Sequence, residues 1–65
     1  MGTRERLKAE REKKHKTQKE IANAIGVSLI NYRQIEQGRR IGKIETWDKL
    51  EDYFKVNQRK LREIS

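Results

Sequence analysis

The side chains of this sequence that are best suited to chemistry lie in residues 18–38, QKEIANAIGVSLINYRQIEQG. Five of them share one face of a predicted short helix: Leu29, Ile30, Arg33, Gln34 and Gln37. Arginine favours guanine edges and glutamine favours adenine edges in the major groove of DNA, although either side chain can equally contact only phosphate. The formal net charge of +7 and a pI of about 10.1 indicate an acidic partner, either nucleic acid or an anionic membrane.

Two short helices must cross closely to present such a face. Ala22 is small enough to let the helix backbones approach. Gly26, Val27 and Ser28 supply the flexibility, the buried anchor and the cap that a sharp turn between the helices requires. This spacing predicts a helix-turn-helix unit with one free face.

We expect five helices, because apolar residues recur at helical spacing and no proline interrupts them. The first helix should run from an N-cap at about Thr3 to Lys14, and the second should follow a capping box formed by Thr17 and Glu20. Gly26 should end the second helix, and Ser28 should cap a third helix that runs to about Gln37. The fourth helix should span roughly Ile44 to Phe54, and Asn57 should cap the fifth. The expected inward residues include Leu7, Ile21, Ala22, Ile25, Tyr32, Ile35, Ile44, Trp47, Leu50 and Phe54.

Composition limits the classes of protein that remain. With 32% hydrophobic and 42% charged residues in 65, the chain can form one small domain. It has no cysteine and a single histidine, His15, so the sequence indicates no disulfide, no metal site, no cofactor and no catalytic residues. It offers no apolar run long enough for a membrane and no signal peptide, so we expect a cytoplasmic protein without a small-molecule ligand.

In order along the chain, the motifs TQKEIA, IGVS, IEQG and IETWDKL resemble the Cro/C1-type (XRE) helix-turn-helix family of phage and bacterial regulators. The resemblance covers about residues 6–62. It implies an all-α, lambda-repressor-like compact bundle of five short helices, forming a single domain over residues 1–65 with its helix-turn-helix core at about 17–38. Several positions depart from the family pattern: Glu10 and Lys16 replace usual apolar residues, Glu51 replaces a common alanine, and Lys43 replaces a usual capping hydroxyl.

The resemblance also implies roles for individual residues. The base-contacting set is Ser28, Leu29, Ile30, Arg33 and Gln34. The phosphate-contacting set is Gln18, Lys19, Gln37, Arg39, Arg40 and Lys43. Gln18 should also brace a base-contacting side chain, and Arg11 and Glu36 should form an internal ion pair. Candidates for a dimer contact are Val56, Leu61 and Ile64, which could equally close the core of one molecule.

Leu29 and Ile30 are apolar where the family often has hydrogen-bonding residues. They could contact thymine methyl groups, form a patch for a protein partner, or include one side chain that leans back onto the core.

The leading hypothesis is a DNA-binding transcriptional regulator, a repressor bound as a homodimer to a two-fold symmetric operator in double-stranded DNA. The alternative is a protein-interaction module, an antitoxin or the partner of a regulator. Membrane binding ranks third, because the basic first helix has only Leu7 and Ala9 on its apolar face.

Overall fold

A computed structural model describes residues 2–64, so Met1 and Ser65, the ends of the expected domain, lie outside the described residues. The described residues form five helices and no strand, which confirms the all-α prediction. The helices are α1 (Glu5–Lys13), α2 (Gln18–Ile25), α3 (Leu29–Glu36), α4 (Ile44–Phe54) and α5 (Gln58–Arg62). None of the helices between residues 2 and 64 has the length and apolar character needed to cross a bilayer.

One apolar core holds the helices together. Its buried members are Leu7, Ile21, Ala22, Ile25, Tyr32, Ile35, Trp47, Leu50, Phe54 and Leu61. Every helix contributes at least one of these residues, and α2, α3 and α4 contribute most of them. Burial of this shared set fixes the crossing of α2 and α3, because each large apolar side chain removed from water adds about 1.5–3 kcal/mol.

The turn between α2 and α3 forms as the sequence predicts. Gly26 adopts a left-handed conformation with φ 75°, which ends α2. Ser28 then caps α3, its Oγ accepting a hydrogen bond from the Asn31 amide at 3.1 Å. At the other end of α2, Thr17 Oγ1 accepts from the Glu20 amide at 3.1 Å, and Glu20 Oε1 accepts from the Thr17 amide at 2.8 Å. This is the predicted capping box.

The substitution Thr17→Ala is expected to destabilise the protein by about 1 kcal/mol, because it removes the side-chain acceptor of this capping box. The bond from the Thr17 amide also holds the pKa of Glu20 below its usual value, so this contribution is present above the unfolded-state pKa and is lost as the pH falls through the lowered one. Thermal unfolding of Thr17→Ala beside Thr3→Ala checks the first point, and unfolding of the wild type across a pH series checks the second. Thr3 is the matched control, since Arg4 occupies the N-cap of α1 and α1 has no side-chain cap. Equal melting temperatures for the two variants would contradict the prediction.

The structure corrects one predicted helix start and one predicted core residue. Helix α1 begins at Glu5 after an Arg4 N-cap, rather than after Thr3. Ile44 is 71% exposed, although it was expected in the inward stripe of α4. The inward position of the first turn belongs to Thr46, and a residue two positions earlier lies roughly 200° around the helix, on its opposite side.

The possible dimer residue Leu61 is also corrected by the structure. Its side chain is fully buried in the core of its own molecule, so it has no surface to offer a second copy. Val56 is half-buried and packs against the same core, whereas Ile64 is 52% exposed.

Glu10 is buried even though it stands where the resemblance implies an apolar residue. Its carboxylate accepts hydrogen bonds from Arg6 Nε at 3.0 Å and from Lys13 Nζ at 3.3 Å. Burial alone would raise the pKa of Glu10, but these bonds outweigh it and hold the pKa below its usual value. The carboxylate is therefore accommodated by counter-ions from its own helix.

Candidate nucleic-acid interface

The predicted base-contacting residues lie along the start and the outer side of α3. Ser28, Ile30 and Arg33 are exposed, and Leu29 and Gln34 are half-buried. The two apolar residues therefore differ, because Ile30 is 68% exposed whereas Leu29 is partly covered. The partly buried apolar residues that pack against the core are Val27, Tyr53 and Val56, so the partial burial of Leu29 leaves all three alternatives open.

A buried carboxylate lies behind this face. Glu36 is 3% exposed, and it accepts hydrogen bonds from Arg11 Nε and Arg11 Nη2, each at 3.0 Å. The hydrogen bond to Glu36 raises the pKa of Arg11, although burial opposes it. Burial also raises the pKa of the neighbouring Tyr32 hydroxyl, and the Glu36 charge adds to this effect. The bidentate pair joins α1 to the end of α3.

Gln18 extends this ion pair to the outer face of α3. Its Nε2 donates to Glu36 Oε1 at 3.1 Å, and its Oε1 accepts from Arg33 Nε at 3.3 Å. Since a carboxylate can only accept and an arginine can only donate, the two neighbours fix the orientation of the Gln18 amide. Among the described residues, the terminal nitrogens of Arg33 take part in no hydrogen bond, so its outer edge can donate to a ligand.

Gln34 is held by hydrogen bonds from Arg39 and Arg40, two residues that follow α3 in the chain. Its side-chain Oε1 accepts from Arg40 Nε at 3.2 Å. Its backbone carbonyl accepts from the amides of Arg39 and Arg40 at 2.9 and 3.2 Å. These bonds fold the chain after α3 back against Gln34. We call residues 39–43 the basic loop, since three of its five residues are Arg39, Arg40 and Lys43.

The predicted phosphate-contacting residues lie at the start of α2, at the end of α3 and in the basic loop. Most of them are exposed, and only Gln18 is half-buried: Gln18, Lys19, Gln37, Arg39, Arg40 and Lys43. Gln18 and Lys19 form the first turn of α2, where free backbone amides and the helix dipole favour an anion. Of the four positive side chains in this set, those of Arg39 and Arg40 belong to residues hydrogen-bonded directly to Gln34 of α3.

Sequence reasoning missed Arg4, which is 4% exposed. Its guanidinium donates to three backbone carbonyls, those of Ile35 at 2.5 Å, Arg40 at 2.9 Å and Arg62 at 3.2 Å. An arginine within the basic start of the chain resembles a solvated surface residue, and its three partners are 31, 36 and 58 positions away. No local pattern could therefore have identified it.

Comparisons with known proteins found one family model and one curated relative that match most of the chain. A sequence model of the family described as Helix-turn-helix matches residues 7–57. A curated relative is the cryptic phage CTXphi transcriptional repressor RstR of Vibrio cholerae serotype O1, with 33% identity over 57 residues. The aligned region covers 88% of this chain and 51% of the relative, so the chain spans about half the length of that protein. No solved structure matches the chain significantly.

Proposed function

The chain belongs to the Cro/C1-type helix-turn-helix family of DNA-binding regulators, and from this membership we propose that it binds specific sequences in double-stranded DNA as a repressor. The observation that carries the proposal is the brace from Glu36 through Gln18 to Arg33. A solvated arginine needs no such support. When an oriented amide holds the Nε of an arginine, the terminal nitrogens of that arginine are restricted in direction. Hydrogen bonding to the edge of one particular base requires such a restriction.

In this proposal α3 enters the major groove with Arg33 and Gln34 against the bases. The terminal nitrogens of Arg33 match the O6 and N7 acceptors of guanine. Gln34 Oε1 uses one lone pair for Arg40 and retains a second, while its Nε2 keeps both hydrogens. That combination still fits the N6 donor and N7 acceptor of adenine.

The exposed Ile30 suits a thymine methyl group in the same groove. A single exposed apolar side chain is ordinary on a protein surface, and a protein-binding patch needs a contiguous area of several hundred Å². Because Leu29 is half-buried, the two residues together offer less apolar surface than the sequence suggests. The structure therefore supplies no specific observation in favour of the alternative function as a protein-interaction module.

The predicted phosphate-contacting residues would hold the DNA backbone. Gln18 and Lys19 at the start of α2 would contact phosphate on one side of the groove, while Arg39, Arg40 and Lys43 would contact it on the other. Gln37, the exposed C-cap of α3, completes the proposed set. Arg40 would act twice, because its Nε supports Gln34 while its terminal nitrogens can bind phosphate bidentately.

Arg33→Ala is expected to weaken binding to the preferred site by about 1–3 kcal/mol and to relax the preference at one base pair in each half-site. The measurement is selection of bound duplexes from a random DNA pool, carried out in parallel for the wild type and the variant. Arg59→Ala is the matched control, since it removes the same charge from an exposed position on α5. Equal losses on all sequences would instead make Arg33 a phosphate contact.

We also propose that two copies bind one operator, with Val56 and Ile64 at the contact between them. The support is the 52% exposure of Ile64 and the neutral formal charge of residues 45–65, which permits self-association. Two α3 helices would then lie in successive major grooves, about 34 Å apart. The buried Leu61 has no part in this contact.

Ile64→Glu is expected to abolish the two-to-one complex on a selected operator, because it places two like charges in the proposed contact. Light scattering of the protein–DNA complex gives the stoichiometry. Ile44→Glu is a matched control, as it introduces the same charge at another exposed isoleucine. A two-to-one complex that survives Ile64→Glu but not Ile44→Glu would move the dimer contact to the start of α4.

A further inference from the structure

The inner side of the basic loop is fixed by two buried donors. The carbonyl of Arg40 accepts from Arg4 Nη1 at 2.9 Å, and the carbonyl of Ile41 accepts from Trp47 Nε1 at 2.6 Å. The charged side chains of the same loop, Arg39, Arg40 and Lys43, are exposed. Two consecutive carbonyls are thus tied to the core, while the cations beside them face solvent.

The two donors also support each other. The Arg4 guanidinium lies 5.2 Å from the centre of the Trp47 ring, which is close enough for a cation–π contact. Arg4 is further held by the carbonyls of Ile35 and Arg62, and its backbone amide donates to the carbonyl of Glu36 at 2.9 Å. A cation at the carbonyl end of α3 is favoured by the helix dipole. We call Arg4 and Trp47 the loop clamp.

A glycine within the basic loop, Gly42, lies close to the core, and a second glycine, Gly38, lies just before the loop. Gly42 has φ 84°, and a Cβ there would lie 3.2 Å from both Ile35 Cδ1 and Trp47 Nε1. Gly38 has φ 75°, and a Cβ there would collide with the carbonyl oxygen of Gly2. The core therefore approaches the backbone of the basic loop at Gly42, and the first residues of the chain approach the residue that precedes it.

We propose that Arg4 is a positioning residue for DNA binding, and that the loop clamp presets the basic loop so that Arg40 meets a phosphate without prior ordering. The inference rests on the proposed function and extends it to residues outside the matched family region, since Arg4 and Arg62 both lie beyond residues 7–57. Presetting matters because immobilising a flexible side chain or loop on binding opposes affinity.

The test is a double-mutant cycle between Arg4→Lys and Arg40→Ala, measured by fluorescence anisotropy on a selected DNA site. Lysine keeps the charge of Arg4 but loses the planar fork that reaches several carbonyls together. In the wild-type background, Arg40→Ala is expected to weaken binding about tenfold. In the Arg4→Lys background the loss should shrink below about threefold, because Arg40 is already displaced. The slope of the logarithm of the binding constant against the logarithm of salt concentration should lose about 1 in magnitude per subunit in Arg4→Lys alone.

Arg6→Lys is the matched control, since Arg6 is an exposed arginine of the same helix that pairs only with Glu10 among the described residues. It should leave both the salt slope and the effect of Arg40→Ala unchanged. A tenfold effect of Arg40→Ala that persists in Arg4→Lys would overturn the proposal. If Arg4 only stabilised the fold, Arg4→Lys would lower the melting temperature and the interaction between Arg4→Lys and Arg40→Ala in the cycle would be zero.

Trp47→Phe provides a second variant in case Arg4→Lys does not fold, since it removes the Nε1 donor and keeps a ring beneath Arg4. It should reproduce the loss of coupling, and failure of both variants to fold would overturn the proposal in favour of a purely structural clamp. Amide hydrogen exchange of free Arg4→Lys separates this inference from the proposed function. Faster exchange confined to residues 39–43, together with a wild type that binds no DNA, would support the clamp and contradict the function.

Discussion

Binding of this protein to duplex DNA is expected to weaken about 10³–10⁵-fold when monovalent salt rises from 50 to 200 mM. The reason is the set of exposed cations proposed to contact phosphate, which are Lys19 at the start of α2 and Arg39, Arg40 and Lys43 in the basic loop. If two copies bind one operator, about 6–10 phosphates are neutralised, and each releases condensed counter-ions whose return is favoured by salt. Fluorescence anisotropy with labelled DNA across a salt series measures the slope directly.

The same salt series can assign the slope to individual side chains. Arg39→Ala should lower its magnitude by about 1 per subunit, whereas Arg59→Ala on α5 should leave it unchanged. The two variants have the same net charge, so a general effect of charge would move both equally. A slope near zero for the wild type, or equal slopes for the two variants, would contradict the phosphate-contacting role of the basic loop.

The second large effect concerns stability. Arg11→Met is expected to destabilise the fold by about 3–5 kcal/mol, because it leaves the buried carboxylate of Glu36 without its bidentate partner. A small domain has a total stability of only about 5–15 kcal/mol, so a large part of the population should unfold under mild conditions. Urea unfolding followed by circular dichroism gives the free energy of unfolding.

Two comparisons show whether the buried charge is the cause. Arg6→Met removes the more exposed partner of Glu10 on α1, whose carboxylate keeps Lys13, and it should cost under about 1 kcal/mol. The double variant Arg11→Met with Glu36→Leu removes both charges and should recover much of the lost stability. It should nevertheless bind DNA weakly, since Gln18 loses the acceptor that orients it toward Arg33. Equal destabilisation by Arg11→Met and Arg6→Met would contradict this account.

The sequence was informative wherever the determinants of structure are local. Thr17 and Glu20, three residues apart, predict the start of α2, and Gly26 predicts its end, because a cap or a left-handed residue acts on its own neighbours. Likewise the predicted limits of α4 coincide with the observed helix, Ile44–Phe54. The Arg11–Glu36 contact spans 25 positions, and only the family resemblance, rather than any spacing, indicated it.

The incorrect predictions for Leu61 and Ile44, and the failure to identify Arg4, all concern side chains whose burial depends on tertiary packing. Leu61 could belong to a core or to a dimer contact, because both bury the same type of side chain, and only the packed structure places it inside. Ile44 belongs to a helical pattern, but the rotation of α4 is set by Thr46 and Trp47 rather than by hydrophobicity at its first residue. Arg4 is buried only because three separate parts of the chain bring carbonyls to it, and no segment of the sequence contains that information.

Recognition of a specific double-stranded DNA sequence by α3 is tested most directly by a ratio of affinities. Duplexes bound by the wild type are first selected from a random pool, and the consensus is then compared with a scrambled duplex of the same composition at about 150 mM salt. We predict a two-fold symmetric consensus bound at least about 10³-fold more tightly than the scrambled duplex. Equal affinities for the two duplexes would contradict recognition of a specific sequence by α3.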